Sequence, residues 1–271
     1  MSALTITTIQ TGLFWEDKTA NLAMFGSKIR AITDKTELVV LPEMFSTGFS
    51  MEPAKLAEPM DGPTVQWMQK LATEKRIILT GSLIIEEQGH YFNRLIWMLP
   101  NGKSGFYDKR HLFAYAGEDQ FYMAGNKRLI ASVKGWRILL QVCYDLRFPV
   151  WARQTPGDEP ASETEYDILI NVANWPQRRN HAWKTLLMAR AIENQCYTIG
   201  VNRVGTDPLD NHYSGDTMVV DPMGTILYQK AETEDVHTIS LQKEALHAIR
   251  QKLPFLKDAD DFTIQNREER E

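Results

Sequence analysis

Short apolar runs recur along the chain, and most of them close on proline, glycine or asparagine. Leu4 to Ile9 alternates threonine with aliphatic residues, the period of a strand. Trp15 to Ile32 instead carries Leu22, Phe25, Ile29 and Ile32 at helical spacing. Glu37 to Phe45 reads as a short buried strand running into Pro42-Glu43, and Ser46 to Pro63 reads as a long loop. Thr64 to Glu74 predicts a second helix, and Ile77 to Ile85 and Tyr91 to Leu99 two strands across Glu87-Gln88-Gly89. Ser104 to Gly125 is polar and aromatic, too irregular to assign. Arg128 to Val133 and Arg137 to Val142 predict a hairpin across Lys134-Gly135-Trp136. Pro156 to Glu165 reads as an exposed acidic loop. A strand over Tyr166 to Ala173 follows, then a helix over His181 to Gln195. Four further strands are expected at Tyr197 to Val204, Ser214 to Val220, Thr225 to Lys230 and Val236 to Leu241, before a charged tail. About ten strands and about four helices in β-α alternation predict an α/β protein with helices packed outside sheets.

The run Ile138 to Val142 reads as a central strand covered on both faces, and it stops at Cys143. A thiol at the end of a buried strand is held rigidly and can face a cleft. It can equally be one more small core residue, as free cysteine often is. Glu43 has a similar setting past the strand ending at Leu41, although a glutamate there is commonly a solvated loop residue. A cysteine nucleophile needs a base, because an unperturbed thiol is mostly protonated at neutral pH. His111 and His181 lie in no recognisable protease signature, so a carboxylate base is the other option.

With 271 residues, 43% hydrophobic and 24% charged, the chain suits one large domain or two small ones. The net charge of −5 is spread along it, which gives no basic face for nucleic acid or anionic membrane. No run of about 18 apolar residues suggests a membrane span, and the N-terminus has no secretory pattern. The two cysteines, Cys143 and Cys196, fit a reducing cytoplasm, with Cys196 as inert core. No Cys-x-x-Cys or His-x-x-x-His pair points to a metal, and no glycine-rich phosphate cradle is present.

Leu41-Pro42-Glu43-Met44-Phe45, Tyr107-Asp108-Lys109-Arg110-His111-Leu112-Phe113 and Gln141 to Pro149 resemble, in order, the three signature blocks of the nitrilase superfamily of carbon–nitrogen hydrolases. Asn171 to Pro176, Ala189 to Asn194, Ser214 to Thr217 and Asp221 to Gly224 agree with it. The likeness covers about residues 4 to 245 and is greatest to the omega-amidase branch, which acts on 2-oxoglutaramate and related dicarboxylate monoamides. It implies one domain over residues 1–271, built as a four-layer α-β-β-α sandwich, with a tail from about 246. It also implies a homodimer, a small-molecule amide substrate and no cofactor. In the implied roles Cys143 is the nucleophile and Glu43 the base. Lys109 stabilises the oxyanion with the Tyr144 N–H and lowers the thiol pKa. Glu118 orients Lys109 or the substrate amide.

A dicarboxylate monoamide needs a cationic pocket for its distal carboxylate. Arg178 and Arg179 can line the cleft mouth, or form a solvated pair ahead of a helix. Arg147 follows the nucleophile, where it can instead hold a turn by pairing with a carboxylate. Phe45, Phe49, Tyr115 and Trp175 are the expected aromatic walls. Other substrates stay open: a deaminated-glutathione-like amide, an N-carbamoyl amino acid or a nitrile. So do acyl transfer to an amine and a non-catalytic binding role on the same fold. The omega-amidase branch further implies a methionine-salvage or glutamine-transaminase context.

Overall fold

The computed structural model describes residues 3–154, 164–260 and 262–264. Its thirteen strands, among the described residues, are β1 (Leu4–Gln10), β2 (Leu38–Val40), β3 (Ile78–Glu87), β4 (His90–Met98), β5 (Ser104–Asp108), β6 (Ile130–Val133), β7 (Trp136–Val142), β8 (Ile168–Val172), β9 (Tyr197–Val201), β10 (Val204–Thr206), β11 (His212–Val220), β12 (Ile226–Ala231) and β13 (Asp235–Leu241). They form two sheets. One has the order β13-β1-β2-β3-β4-β5; the other runs β10-β11-β9-β8-β7-β6, with β12 beside β11. Each sheet is parallel at its centre, β1-β2-β3 in one and β7-β8-β9 in the other, with antiparallel strands outside.

The layering follows from side-chain alternation. Leu38 and Val40 of β2, and Ile138, Leu140 and Val142 of β7, turn into one apolar layer between the sheets. The intervening residues turn outwards. Val39 packs with Phe25, Ile29, Met68 and Leu71 under the helices Lys18–Arg30 and Pro63–Lys75. Leu139 and Leu169 face outwards on the second sheet, and the helix Asn180–Asn194 covers that sheet through Trp183, Leu187 and Ala191. The result is the expected α-β-β-α sandwich. Each fully buried Ile, Leu or Val contributes about 1.5–3 kcal/mol of burial free energy, so strands apolar on both faces are anchored on both.

Several details differ from the sequence reading. The stretch Ser104 to Gly125 contains β5, and the strand expected over Tyr197 to Val204 divides into β9 and the start of β10. The tail begins with a helix, Lys243–Lys252, which buries only Leu246 and so gives a thin apolar stripe. The acidic loop predicted at Pro156 to Glu165 lies mostly outside the described residues. No helix among them is long and apolar enough to cross a membrane.

Candidate active site

Parallel strands deliver their C-terminal ends to one edge of a sheet, and ligands gather there. Here both sheets do so at the same edge. β2 runs on to Glu43, β7 to Cys143, β8 to Asn174 and β9 to Arg203. β5 ends one residue before Lys109.

Cys143 opens a tight 3-10 turn, Cys143–Arg147, and takes φ +45°. A residue with a Cβ holds that left-handed conformation at a cost of about 1–3 kcal/mol, and only where its surroundings over-determine it. Lys109 and Glu43 have fully buried side chains, and Lys109 Nζ lies 2.9 Å from Glu43 Oε1. The same ammonium donates to both oxygens of buried Glu118, at 2.9 and 2.8 Å. The Asn93 amide bridges the two acids, giving 2.8 Å to Glu43 and 3.1 Å to Glu118. Asn174 holds Glu43 from the other side: its N–H reaches Oε2 at 2.8 Å and its side-chain amide the Glu43 carbonyl at 2.6 Å.

Two carboxylates and one ammonium in a dry site perturb each other strongly. Burial alone would depress the Lys109 ammonium, but the charges of Glu118 and Glu43 outweigh it and hold it well above the lysine range. Burial raises Glu118, and the Lys109 charge only partly offsets this. Burial, followed by the Glu43 charge, pushes the Cys143 thiol far up, against the opposing pull of Lys109. Lys109 lowers the thiol pKa as expected, but burial and the Glu43 charge outweigh it. Glu43 is the carboxylate beside this thiol.

The thiol opens into a cavity of about 260 Å³. Phe49, Tyr115, Tyr144, Trp175, Arg147, Arg178 and Arg179 all line it. Arg147 is not a turn clamp: its guanidinium lies 4.9 Å from the Trp175 ring centre, and among the described residues it makes no ion pair. Arg179 lies 5.1 Å from the Phe113 ring centre, and burial with its neighbours Arg178 and Arg147 depresses its pKa. The far wall was not anticipated. Asp207 accepts the Tyr213 hydroxyl at 2.9 Å and the N–H groups of Leu209 and Asn211, both at 2.9 Å.

Phe45 is misplaced by the sequence reading. Period-two alternation would set it on the same side as Glu43. Met44 breaks the alternation with φ +42°, and Phe45 swings into the helix layer, 5.6 Å from the Phe25 ring and 5.9 Å from Trp67. It is fully buried there, away from the cavity. Glu118 does not line the cavity either; it sits behind Lys109. Asn93 was missed, although an asparagine between Tyr91-Phe92 and Leu95-Ile96 in a buried strand was a visible signal.

A carbon–nitrogen hydrolase family model matches residues 5–251 of the chain. The chain belongs to the carbon–nitrogen hydrolase family. Among curated relatives of this hydrolase, omega-amidase YafV of Escherichia coli (strain K12) is 42% identical over 269 residues, covering 97% of this chain and 100% of that protein. The 2-oxoglutaramate amidase of Bacillus subtilis (strain 168) is 28% identical over 94% of this chain and 96% of its own length. Among solved structures, a CN-hydrolase superfamily protein from Xanthomonas campestris, with an arsenic adduct in its active site, superposes on this hydrolase with a TM-score of 0.95 at 42% identity, covering 98% of this chain and 100% of that one.

Proposed function

We propose that this hydrolase is an omega-amidase, releasing ammonia from 2-oxoglutaramate, succinamate and similar monoamides of dicarboxylates. One observation carries the reading. The thiol, its carboxylate and the buried ammonium meet at a cavity of about 260 Å³ that also holds three arginines, Arg147, Arg178 and Arg179, with no ion-pair partner among the described residues. Unpaired guanidinium groups are suited to a substrate carboxylate. The small volume and aromatic walls suit a compact linear chain. The likeness to omega-amidase YafV supports the same assignment.

In the proposed reaction Glu43 takes the thiol proton as Cys143 Sγ attacks the amide carbonyl. Lys109 and the Tyr144 N–H stabilise the oxyanion that forms. Collapse breaks the C–N bond, the proton on Glu43 passes to the leaving nitrogen, and ammonia departs. A thioester remains on Cys143. Glu43 then deprotonates a water that attacks the thioester, the C–S bond breaks, the proton on Glu43 returns to the Cys143 sulfur, and the dicarboxylate leaves. Glu118 and Asn93 keep Lys109 and Glu43 in register. No step requires a cofactor.

A homodimer is proposed, supported by Val150, Ile192 and Met223, which the outer helix layer leaves 54%, 54% and 51% exposed. The two free cysteines fit a reducing compartment, and the cytoplasm is the proposed location. Glutamine transamination is the proposed source of the 2-oxo acid amide, in a methionine-salvage context.

The test is a panel of rates on 2-oxoglutaramate, succinamate, an N-carbamoyl amino acid and a nitrile. Ammonia from the first two at kcat/KM about 10⁴ M⁻¹s⁻¹ or higher is expected. Preference for the carbamoyl compound or the nitrile would overturn the substrate assignment and leave the cysteine chemistry standing.

A further inference from the structure

Lys109 and Cys143 come from different sheets, yet the proposed chemistry needs them in fixed register. One side chain joins the two segments. Asp145 is fully buried and follows Cys143 in the same turn. Its Oδ2 accepts the N–H of Val142, the residue before the nucleophile, at 3.0 Å. The same oxygen accepts the Tyr107 hydroxyl at 2.8 Å. Its Oδ1 accepts the His111 backbone N–H at 2.9 Å and lies 2.8 Å from His111 Nδ1.

Tyr107 and His111 bracket Lys109. Both are secured further: Tyr107 Oη accepts from Trp151 Nε1 at 2.9 Å and from the Arg110 N–H at 3.2 Å. The His111 ring stacks on Phe148 at 3.7 Å between centres. One carboxylate therefore takes four donors, one from the cysteine's segment and three from the lysine's. An ionised carboxylate has acceptor sites for all four, whereas an asparagine would offer two of them an NH₂ group.

We infer that Asp145 is a positioning residue: it staples the lysine segment 107–111 to the nucleophile turn, and so sets both the left-handed backbone of Cys143 and the approach of Lys109 to the oxyanion. The inference rests on the amidase reading of the site. Asp145 touches no substrate. Nor does it line the cavity that holds Arg147, Arg178 and Arg179.

The experiment compares wild type, Asp145→Asn, Tyr107→Phe and the double variant, with succinamate kinetics, thermal melting and iodoacetamide labelling of Cys143. A misplacement near 1 Å costs about 100-fold in rate. The expected result for Asp145→Asn is kcat lower by about 100-fold with KM within about threefold of wild type. Tyr107→Phe removes one donor and lowers kcat by less. The double variant falls no further than Asp145→Asn, because both act through one staple. Iodoacetamide still labels Cys143, so the thiol remains present and accessible. A folded Asp145→Asn with wild-type kcat would overturn the inference. So would losses that multiply in the double variant, or a kcat loss matched by an equal rise in KM. A wild type that releases no ammonia would instead overturn the amidase reading itself.

Discussion

Lys109→Met tests the charge balance at the centre of the site. The substitution keeps most of the side-chain volume and removes the ammonium. That ammonium is wholly buried and makes three contacts of 2.8–2.9 Å to Glu43 and Glu118, whose side chains are equally buried. Removing one partner from a buried ion cluster leaves uncompensated charge, at a cost of about 3–5 kcal/mol. For a chain of this size that corresponds to a fall in melting temperature of roughly 6–20 °C. The penalty has a pH signature. Burial already raises Glu118, and Lys109 is the main influence holding it down. Without Lys109 the folded pKa of Glu118 rises further above its unfolded value. A carboxyl so raised leaves stability intact below the unfolded pKa and loses it as pH rises through the folded one. The gap in melting temperature between wild type and Lys109→Met should therefore widen from pH 5 to pH 8. Adding Glu118→Gln should recover part of it. Differential scanning calorimetry across that range is the assay. A gap within 2 °C, or one that ignores both pH and Glu118→Gln, would refute the reasoning.

Three further outcomes are expected. Glu43→Gln removes a charge that raises the thiol pKa, so iodoacetamide should alkylate Cys143 faster at pH 8 while amide hydrolysis falls by at least about 100-fold, the lower end of the general-base range; parallel loss of both rates would contradict it. Arg147→Met and Arg179→Met should raise KM for succinamate about tenfold or more with little change in kcat, as loss of uniform binding does; an unchanged KM in steady-state kinetics would remove these arginines from substrate binding. Gly125→Ala places a Cβ 2.2 Å from the Asp108 carbonyl, next to Lys109, and overpacking there should destabilise by about 1–3 kcal/mol and lower kcat, as melting and initial rates would record.

The central strands were legible because both of their faces are covered, so β2, β7 and β8 read as mostly apolar runs with abrupt polar ends. Those ends gave Glu43 and Cys143 as candidates before any resemblance entered. Lys109 was not legible in that way. It follows β5, whose outward residues Ser104 and Phe106 face solvent, and such a strand has no apolar run to mark it. Family blocks supplied it instead. Phe45 failed because the left-handed backbone at Met44 turns its side chain into the helix layer, which residue type alone does not show. The net rise of the thiol pKa, against the lowering pull of Lys109, was not legible, because it depends on how deeply the thiol and its neighbours are buried together, a property of the assembled sheets. The donors that converge on Asp145 belong to residues 107, 111 and 142, and only packing of one sheet on the other brings them to one carboxylate.

The most direct test of the central claim is ammonia release from 2-oxoglutaramate and succinamate by wild type and Cys143→Ala, side by side. The account predicts rapid release by the wild type and a fall of at least about 1,000-fold in the variant, as for loss of a covalent nucleophile. Ammonia release that survives in a folded Cys143→Ala protein would contradict it.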